Sequence, residues 1–384
     1  MKVNPLRLDD DELSSCVACG LCLAHCPTFR VTGDESASPR GRIASMRAVQ
    51  WAGAPMDDDF ADFMDRCVQC RACEVACPSS VPFGHLMEGA REALSPRIPW
   101  WKRVPYRLLS HHRLLLVLST IGAVLQRLHL TPSSAPPMPL RRPKLRSSGD
   151  DVILFTGCVM DAWMRDTHAA AQRVAEATGA GVQIPGAGSG AACCGALAVH
   201  AGLRDVARAQ ARRTMKALPG DAPILVDSAG CGAAMKEYGH LLGTPEAAAF
   251  AARVQDIHEW LAAHADRLPP PASGRRMDQP VCVQDPCHLR HVQRAHQHVH
   301  TVLAPYADVV ELDDEGMCCG AGGAYSVQQP ELSFAIRDRK LAAIARSGAR
   351  VVASANPGCA MHLAAAGLDV RHPVEIIDEA ISGR

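Results

Sequence analysis

From residue 150 onward, short apolar runs alternate with stretches of helical periodicity, and the whole cycle occurs twice. The first cycle opens with DVILFTGC, ending at Cys158, and the second with PVCVQDPC, ending at Cys287. Each passes through a helical stretch and an extended segment (AGVQIPG, then ADVVELDD) to a Cys-Cys-Gly, at Cys193, Cys194 and Gly195 and again at Cys318, Cys319 and Gly320. A long helical pattern follows, DVARAQARRTMKAL in one and LSFAIRDRKLAAIARSG in the other. A last apolar run then leads into one more cysteine, APILVDSAGC at Cys231 and ARVVASANPGC at Cys359. Apolar runs of strand length separated by helices predict parallel α/β units, here in tandem. In such sheets ligands sit beyond the carboxyl ends of the strands, where Cys158, Cys231, Cys287 and Cys359 fall.

Upstream the periodicity is helical. PRGRIASMRAVQWAG predicts a helix entered at Pro39 and Gly41, with an apolar face through Ile43, Met46 and Val49. VPFGHLMEGAREAL predicts another. The stretch WWKRVPYRLLSHHRLLLVLSTIGAVLQRLHL is both basic and apolar, and its uncharged core, Leu114 to Gln126, is shorter than a bilayer span. The favoured reading is a pair of linker helices packed on the protein. The other is an amphipathic surface in peripheral contact with a membrane or a membrane-bound partner. TPSSAPPMPLRRPKLRSSGDD reads as a linker. The expected division is 1–95, 96–149, 150–270 and 275–384.

Composition narrows the chemistry. Lys and Arg together number 40, as do Asp and Glu, and aromatics make up 4%. That gives neither a basic field nor a stacking platform for nucleic acid. The N-terminus, MKVNPLRLDDDELSS, lacks the apolar core of a secretory signal. The expectation is a cytoplasmic protein, with a peripheral place on the cytoplasmic face of the inner membrane as the extension of it. In that reducing compartment 17 cysteines point to metal or redox chemistry rather than disulfides.

Eight of them form two runs of one spacing, CVACGLCLAHCP (16–27) and CVQCRACEVACP (67–78). A C-x2-C-x2-C run wraps three thiolates onto one [4Fe–4S] cube, and in two-cluster ferredoxins the fourth cysteine, before the proline, ligates the other cube. Cys16, Cys19 and Cys22 are therefore expected to hold one cluster with Cys77, and Cys67, Cys70 and Cys73 the other with Cys26. Zinc has no need of a C-x3-C-P end. No catalytic residue is assigned. There is no G-x-G-x-x-G opening a βα unit, and glycine-rich GAGSGA (186–191) leads into Cys193 rather than a helix. Cys282, mid-strand, reads as a small hydrophobe. Histidines 288, 291, 296, 298 and 300 crowd one helix-like stretch, read as a wet polar face.

The long gap between the runs resembles the α-helical ferredoxin module of succinate dehydrogenase iron–sulfur subunits. The sets Cys158, Cys193, Cys194, Cys231 and Cys287, Cys318, Cys319, Cys359 resemble the CCG domain of heterodisulfide reductase, which binds non-cubane iron–sulfur clusters. Ser228 and Asn356 stand where that domain has a further cysteine in each half. One or two further clusters, a dithiol redox site and inert fold-signature thiols all remain open there. End to end, through CVACGLCLAHCPTF, PRGRI, DRCVQCRACEVACPS, SAGCGAAMKEYG, MCCGAGGAYS, ELSFAIRDRK, ANPGCAMHLAAAG and VRHPVEIIDEA, the chain resembles the iron–sulfur subunits of bacterial glycolate oxidase. The resemblance implies an α-helical two-[4Fe–4S] ferredoxin-like module followed by two pseudo-repeated α/β CCG domains. It implies an electron-transfer subunit with flavoprotein partner subunits and a quinone-type acceptor, oxidising glycolate to glyoxylate. Lactate and glycerol-3-phosphate dehydrogenase subunits, or a disulfide or heterodisulfide reductase acting at the CCG domain, are the alternatives.

Overall fold

Two four-stranded parallel sheets carry the second half of the chain. The structure, a computed structural model, describes residues 5–131, 136–185, 193–314 and 316–383. The glycine-rich run at 186–191 and residues 132–135 of the proline-rich stretch lie outside the described residues. The first sheet has β1 (Val152–Phe155), β2 (Val182–Gln183), β3 (Ile224–Val226) and β4 (Val254–Asp256) in the order β2-β1-β3-β4. The second repeats it with β5 (Met277–Val283), β6 (Ala307–Val310), β7 (Val351–Ala353) and β8 (Asp369–Arg371), ordered β6-β5-β7-β8. The central strands β1, β3 and β7, and β5 from Val281 to Val283, are apolar and buried because helices cover both faces. Leu154 pairs with Leu225 and Cys282 with Val352. Cys282 is fully buried among Ile344, Val352 and Leu363, as a small hydrophobe would be.

The two repeats share one core. Helix Arg165–Ala177 packs on Pro373–Ser382, and Ile257–Ala263 on His296–Leu303. Val174, Leu261, Val299 and Ile377 all bury in a single cluster that runs from one sheet to the other. The expected pair of domains is thus a fused body whose strand ends meet. Ala229 N–H bonds the Ala355 carbonyl at 3.0 Å, and His372 Nε2 lies 2.9 Å from the Asp227 carbonyl.

The N-terminal region is helical and has a core of its own. Pro39–Ala52, Asp58–Asp65 and Phe83–Leu94 enclose Leu13, Ile43, Met46, Met64, Leu86 and Met87. Ser38 caps the first of these helices onto Gly41 N–H at 2.9 Å, and Pro39 occupies its first position, where no N–H is needed. Two more helices, Trp100–Leu108 and His112–Arg127, connect this region to the first sheet.

Two expectations need correction. The histidine-rich stretch is not one helix. A π turn, His288–Gln293, stops at Arg294, which has φ 56°, and a separate helix begins at His296. Nor is it a wet face. All five histidines are half-buried, His300 Nε2 meets Asp285 Oδ1 at 3.1 Å, and His288 stacks on His200. The reason is tertiary: the stretch is wedged against the short helix Ala72–Val75 within the second cysteine run and against helix Ala229–Lys236.

Candidate metal centres

The two N-terminal runs repeat a backbone conformation as well as a spacing. Ala18 and Gly20 in the first have φ of 56° and 85°, and Gln69 and Arg71 in the second have 55° and 60°. Three of these four are not glycine, so left-handed backbone there is unfavourable by itself. The local conformation curls the chain so that three thiols face one side. Arginines secure each curl by binding backbone carbonyls. Arg47 donates to the carbonyls of Leu13, Ser14 and Cys16, and Arg91 to those of Met64, Cys67 and His200. Fully buried Arg42 binds the carbonyls of Phe63 and Ala37, and Thr28 beside it lies 3.2 Å from Cys26 Sγ. These arginines were missed in the sequence. Their one visible signal is a guanidinium interrupting an apolar helical face, which demands several acceptors if buried.

The fourth cysteine of each run has neighbours in the other run. Cys16, Cys19, Cys22, Cys73 and Cys77 line one cavity. Cys26 lies close enough to Cys22, Cys70 and Cys73 that its charge raises all three thiols, after the larger effect of burial. Cys19 is exposed and Cys16, Cys22 and Cys77 half-buried, whereas Cys26, Cys67, Cys70 and Cys73 are buried. Among the described residues no three His, Cys, Asp or Glu side chains converge tightly enough to hold a single metal ion. Two groups of four thiols, each spread around a volume, fit iron–sulfur cages better than zinc.

Each CCG half likewise gathers its four cysteines at the strand ends. Cys158 Sγ lies 3.9 Å from Cys193 Sγ, and Cys287 Sγ lies 3.7 Å from Cys318 Sγ. Sharing a proton with Cys318 draws the Cys287 thiol down to about 6 and pushes its partner up, and Cys158 and Cys193 divide in the same directions. Cys231 and Cys359 sit in the first turns of helices Ala229–Lys236 and Pro357–Ala364, and the bond Cys359 shares with Cys319, with burial, pushes its thiol well up. The glycine after each cysteine pair is required. Gly195 and Gly320 have φ of 89° and 88°, and a Cβ on Gly320 would lie 2.4 Å from the Ser333 carbonyl oxygen. The donor sets suit a soft metal cluster in both halves.

The position of the absent fifth cysteine is filled differently in the two. Asn356 Nδ2 donates to Cys359 Sγ at 3.3 Å, while its Oδ1 accepts from Gly230 N–H at 3.1 Å, tying one half to the other. Ser228 has no side-chain bond to its helix. Also missed were buried charges beneath the first half. His168 Nδ1 meets Asp227 Oδ2 at 2.6 Å, and His258 Nδ1 meets Asp256 Oδ1 at 2.6 Å.

The thiol groups follow one another in space. The buried N-terminal group adjoins the second CCG half, where Val68, Cys70 and Ala72 pack with Cys287, Cys318 and Tyr325. The first half meets the N-terminal region across a cavity of mixed lining, with Phe83, Met87, Val199 and Leu241 among its apolar walls. It is walled by Arg71, Glu88, His200, Glu237, His240 and Cys194, and Glu237 pairs with Arg71 at 2.8 Å and His85 at 3.1 Å.

Known proteins match this arrangement. Residues 12–81 match the model of the 4Fe-4S dicluster domain, and residues 152–236 and 281–364 that of the cysteine-rich CCG domain. The chain is 31% identical over 409 residues to the glycolate oxidase iron-sulfur subunit of Escherichia coli (strain K12), covering 99% of this chain and 97% of that one. It is 32% identical over 414 residues to a probable glycolate oxidase iron-sulfur subunit of Bacillus subtilis (strain 168), covering 93% and 89%. It is 25% identical over 409 residues to one subunit of the dihydromethanophenazine:CoB–CoM heterodisulfide reductase of Methanosarcina barkeri, covering 96% and 94%.

Proposed function

Because the chain belongs to the family of glycolate oxidase iron–sulfur subunits, we propose that it is the electron carrier of a complex oxidising glycolate to glyoxylate. Flavoprotein subunits take the electron pair from substrate, and a quinone-type compound accepts it. On this reading residues 1–95 are the ferredoxin-like module, 96–149 the connection, and 150–270 and 275–384 the CCG domains, working at the cytoplasmic side of the inner membrane.

Iron–sulfur clusters supply one-electron carriers when bound. Cys16, Cys19, Cys22 and Cys77 hold one [4Fe–4S] cluster, and Cys26, Cys67, Cys70 and Cys73 the other. Cys158, Cys193, Cys194 and Cys231, with Cys287, Cys318, Cys319 and Cys359, are the ligands for one or two more. Exposed Cys19, flanked by exposed Val17 and Leu21, makes the first group the edge that meets a partner. The buried group keeps water out, and Cys70 beside Cys287 carries the row inward. The observation that carries the reading is this succession of thiols from surface to interior.

Iron analysis and paramagnetic spectra of anaerobically purified chain test it. About eight irons per chain are expected from the N-terminal module alone and about twelve or sixteen with the CCG halves loaded. Cys77→Ser is expected to damage the cluster of the first run. A total near four refutes the two-cluster module, and damage confined to the second run's cluster refutes the crossed assignment. The likeness to a heterodisulfide reductase subunit supports a second reading, disulfide reduction at a CCG half. Reduction of a disulfide by purified chain and an artificial donor, without flavoprotein subunits, would favour it.

A further inference from the structure

We propose that the outward face of helices Trp100–Leu108 and His112–Arg127 is a docking surface for anionic lipid. A helix on a soluble protein turns its apolar stripe inward, and His112–Arg127 does the reverse. Leu114, Val117, Leu118, Ile121, Val124 and Leu125 recur at spacings of three, one, three, three and one, and all are exposed. The face turned to the protein is polar or small. Ser119 and Ala123 are buried there, Trp163 Nε1 donates to Ser119 Oγ at 2.9 Å, and His112 Nε2 pairs with Asp161 Oδ2 at 2.7 Å. Trp100 and Trp101 extend the patch, the former 77% exposed. Eleven of the eighteen exposed large hydrophobics among the described residues fall between 100 and 130.

Charge selects the occupant. Residues 93–149 contain ten Lys and Arg and no Asp or Glu, so the rest of this neutral chain carries an excess of ten acidic residues. Lys102, Arg107, Arg113 and Arg127 are exposed along the same two helices. A cationic rim around an apolar stripe, with tryptophans at its end, is the chemistry that recognises an anionic bilayer surface. The helices do not cross the bilayer. No single helix among the described residues is long and apolar enough, and the two meet at 99°. At 16 residues the second is about 24 Å long, short of a hydrocarbon core of about 30 Å. They lie in the interface, and His112–Arg127 rests on the short helix that follows Cys158, so the first CCG half faces the lipid.

The test is flotation of full-length, iron-loaded chain with vesicles of phosphatidylglycerol and phosphatidylcholine, against phosphatidylcholine alone. Wild type is expected to float with the anionic vesicles, to partition about tenfold less into neutral ones, and to be weakened by salt. Leu118→Glu combined with Ile121→Glu, both at exposed positions, is expected to cut partition about tenfold or more while iron content and helicity stay unchanged. Wild type left at the bottom of the gradient, or the double variant floating like wild type, overturns the proposal. So does a wild type that does not float while the variant loses a co-purifying protein, which gives the face to a protein partner. None of these outcomes bears on cluster ligation, which the iron count reads separately.

Discussion

The two CCG halves share strand order, the order of their cysteines and the left-handed glycine, yet the residue that follows the third strand of each is held by different physics. In the first it is a buried aspartate, Asp227, paired with His168. Burial works against a proton on His168, but Asp227 outweighs it and raises the imidazole pKa. After β7, in the place Asp227 takes after β3, the second half has a neutral contact, Ser354 Oγ donating to Gln284 Oε1 at 2.8 Å. Their neighbours differ as well. The first half meets the N-terminal region through a cavity that carries Arg71, Glu88 and Glu237 among apolar walls, and the second through an apolar seam that brings Cys70 near Cys287. The two halves thus share a cysteine arrangement while their surroundings differ, one with charged side chains beside it, the other packed against buried Cys70.

The largest expected effect tests that difference directly. His168→Ala leaves the Asp227 carboxylate buried without its partner and should cost about 3–5 kcal/mol. Ser354→Ala should cost only about 1 kcal/mol. Equilibrium denaturation under anaerobic conditions measures both, and equal costs would erase the contrast. Next comes the seam between the halves. Asn356→Ala removes the bonds to Cys359 and Gly230 and should cost about 1–2 kcal/mol, against less for Ser228→Ala, which loses no side-chain bond to its helix. Urea midpoints read the pair.

The smallest effect is a pH dependence in the cavity between the first half and the N-terminal region. Burial, reinforced by Glu237, raises the Glu88 carboxyl from its ordinary 4.5 to about 7. The folded state therefore holds this proton more tightly than the unfolded chain. The stability it lends is complete below pH 4.5 and is lost as pH rises through 7. Glu88→Gln should then stabilise the protein by about 1 kcal/mol at alkaline pH and hardly at all in mild acid. Melting temperatures across that range decide it, and a stabilisation unchanged with pH would show that Glu88 is not the titrating group.

Much of the architecture was legible in advance. Apolar runs at 152–155, 224–226, 280–283 and 351–353 fall in central strands because a parallel sheet covered on both faces needs side chains that are apolar on both. The edge strands β4 and β8, with sequences VQD and DVR, were not legible, since three polar-rich residues carry no period. The two cysteine runs and the iron–sulfur chemistry they carry were legible from spacing. The arginine anchors were hidden, because nothing local tells a buried guanidinium from a solvated one.

By itself the sequence determined the ligand chemistry and the local curl of each run. Two-residue steps between thiols, a left-handed glycine after each pair and the strand periodicity act over a few residues, where covalent geometry leaves little choice. Only the tertiary structure decided which thiols became neighbours, which half was sealed, and that the apolar stripe of His112–Arg127 points outward. Those outcomes depend on which surfaces the folded chain can cover, and residues such as Cys70 and Cys287 meet across more than two hundred positions that no local pattern spans.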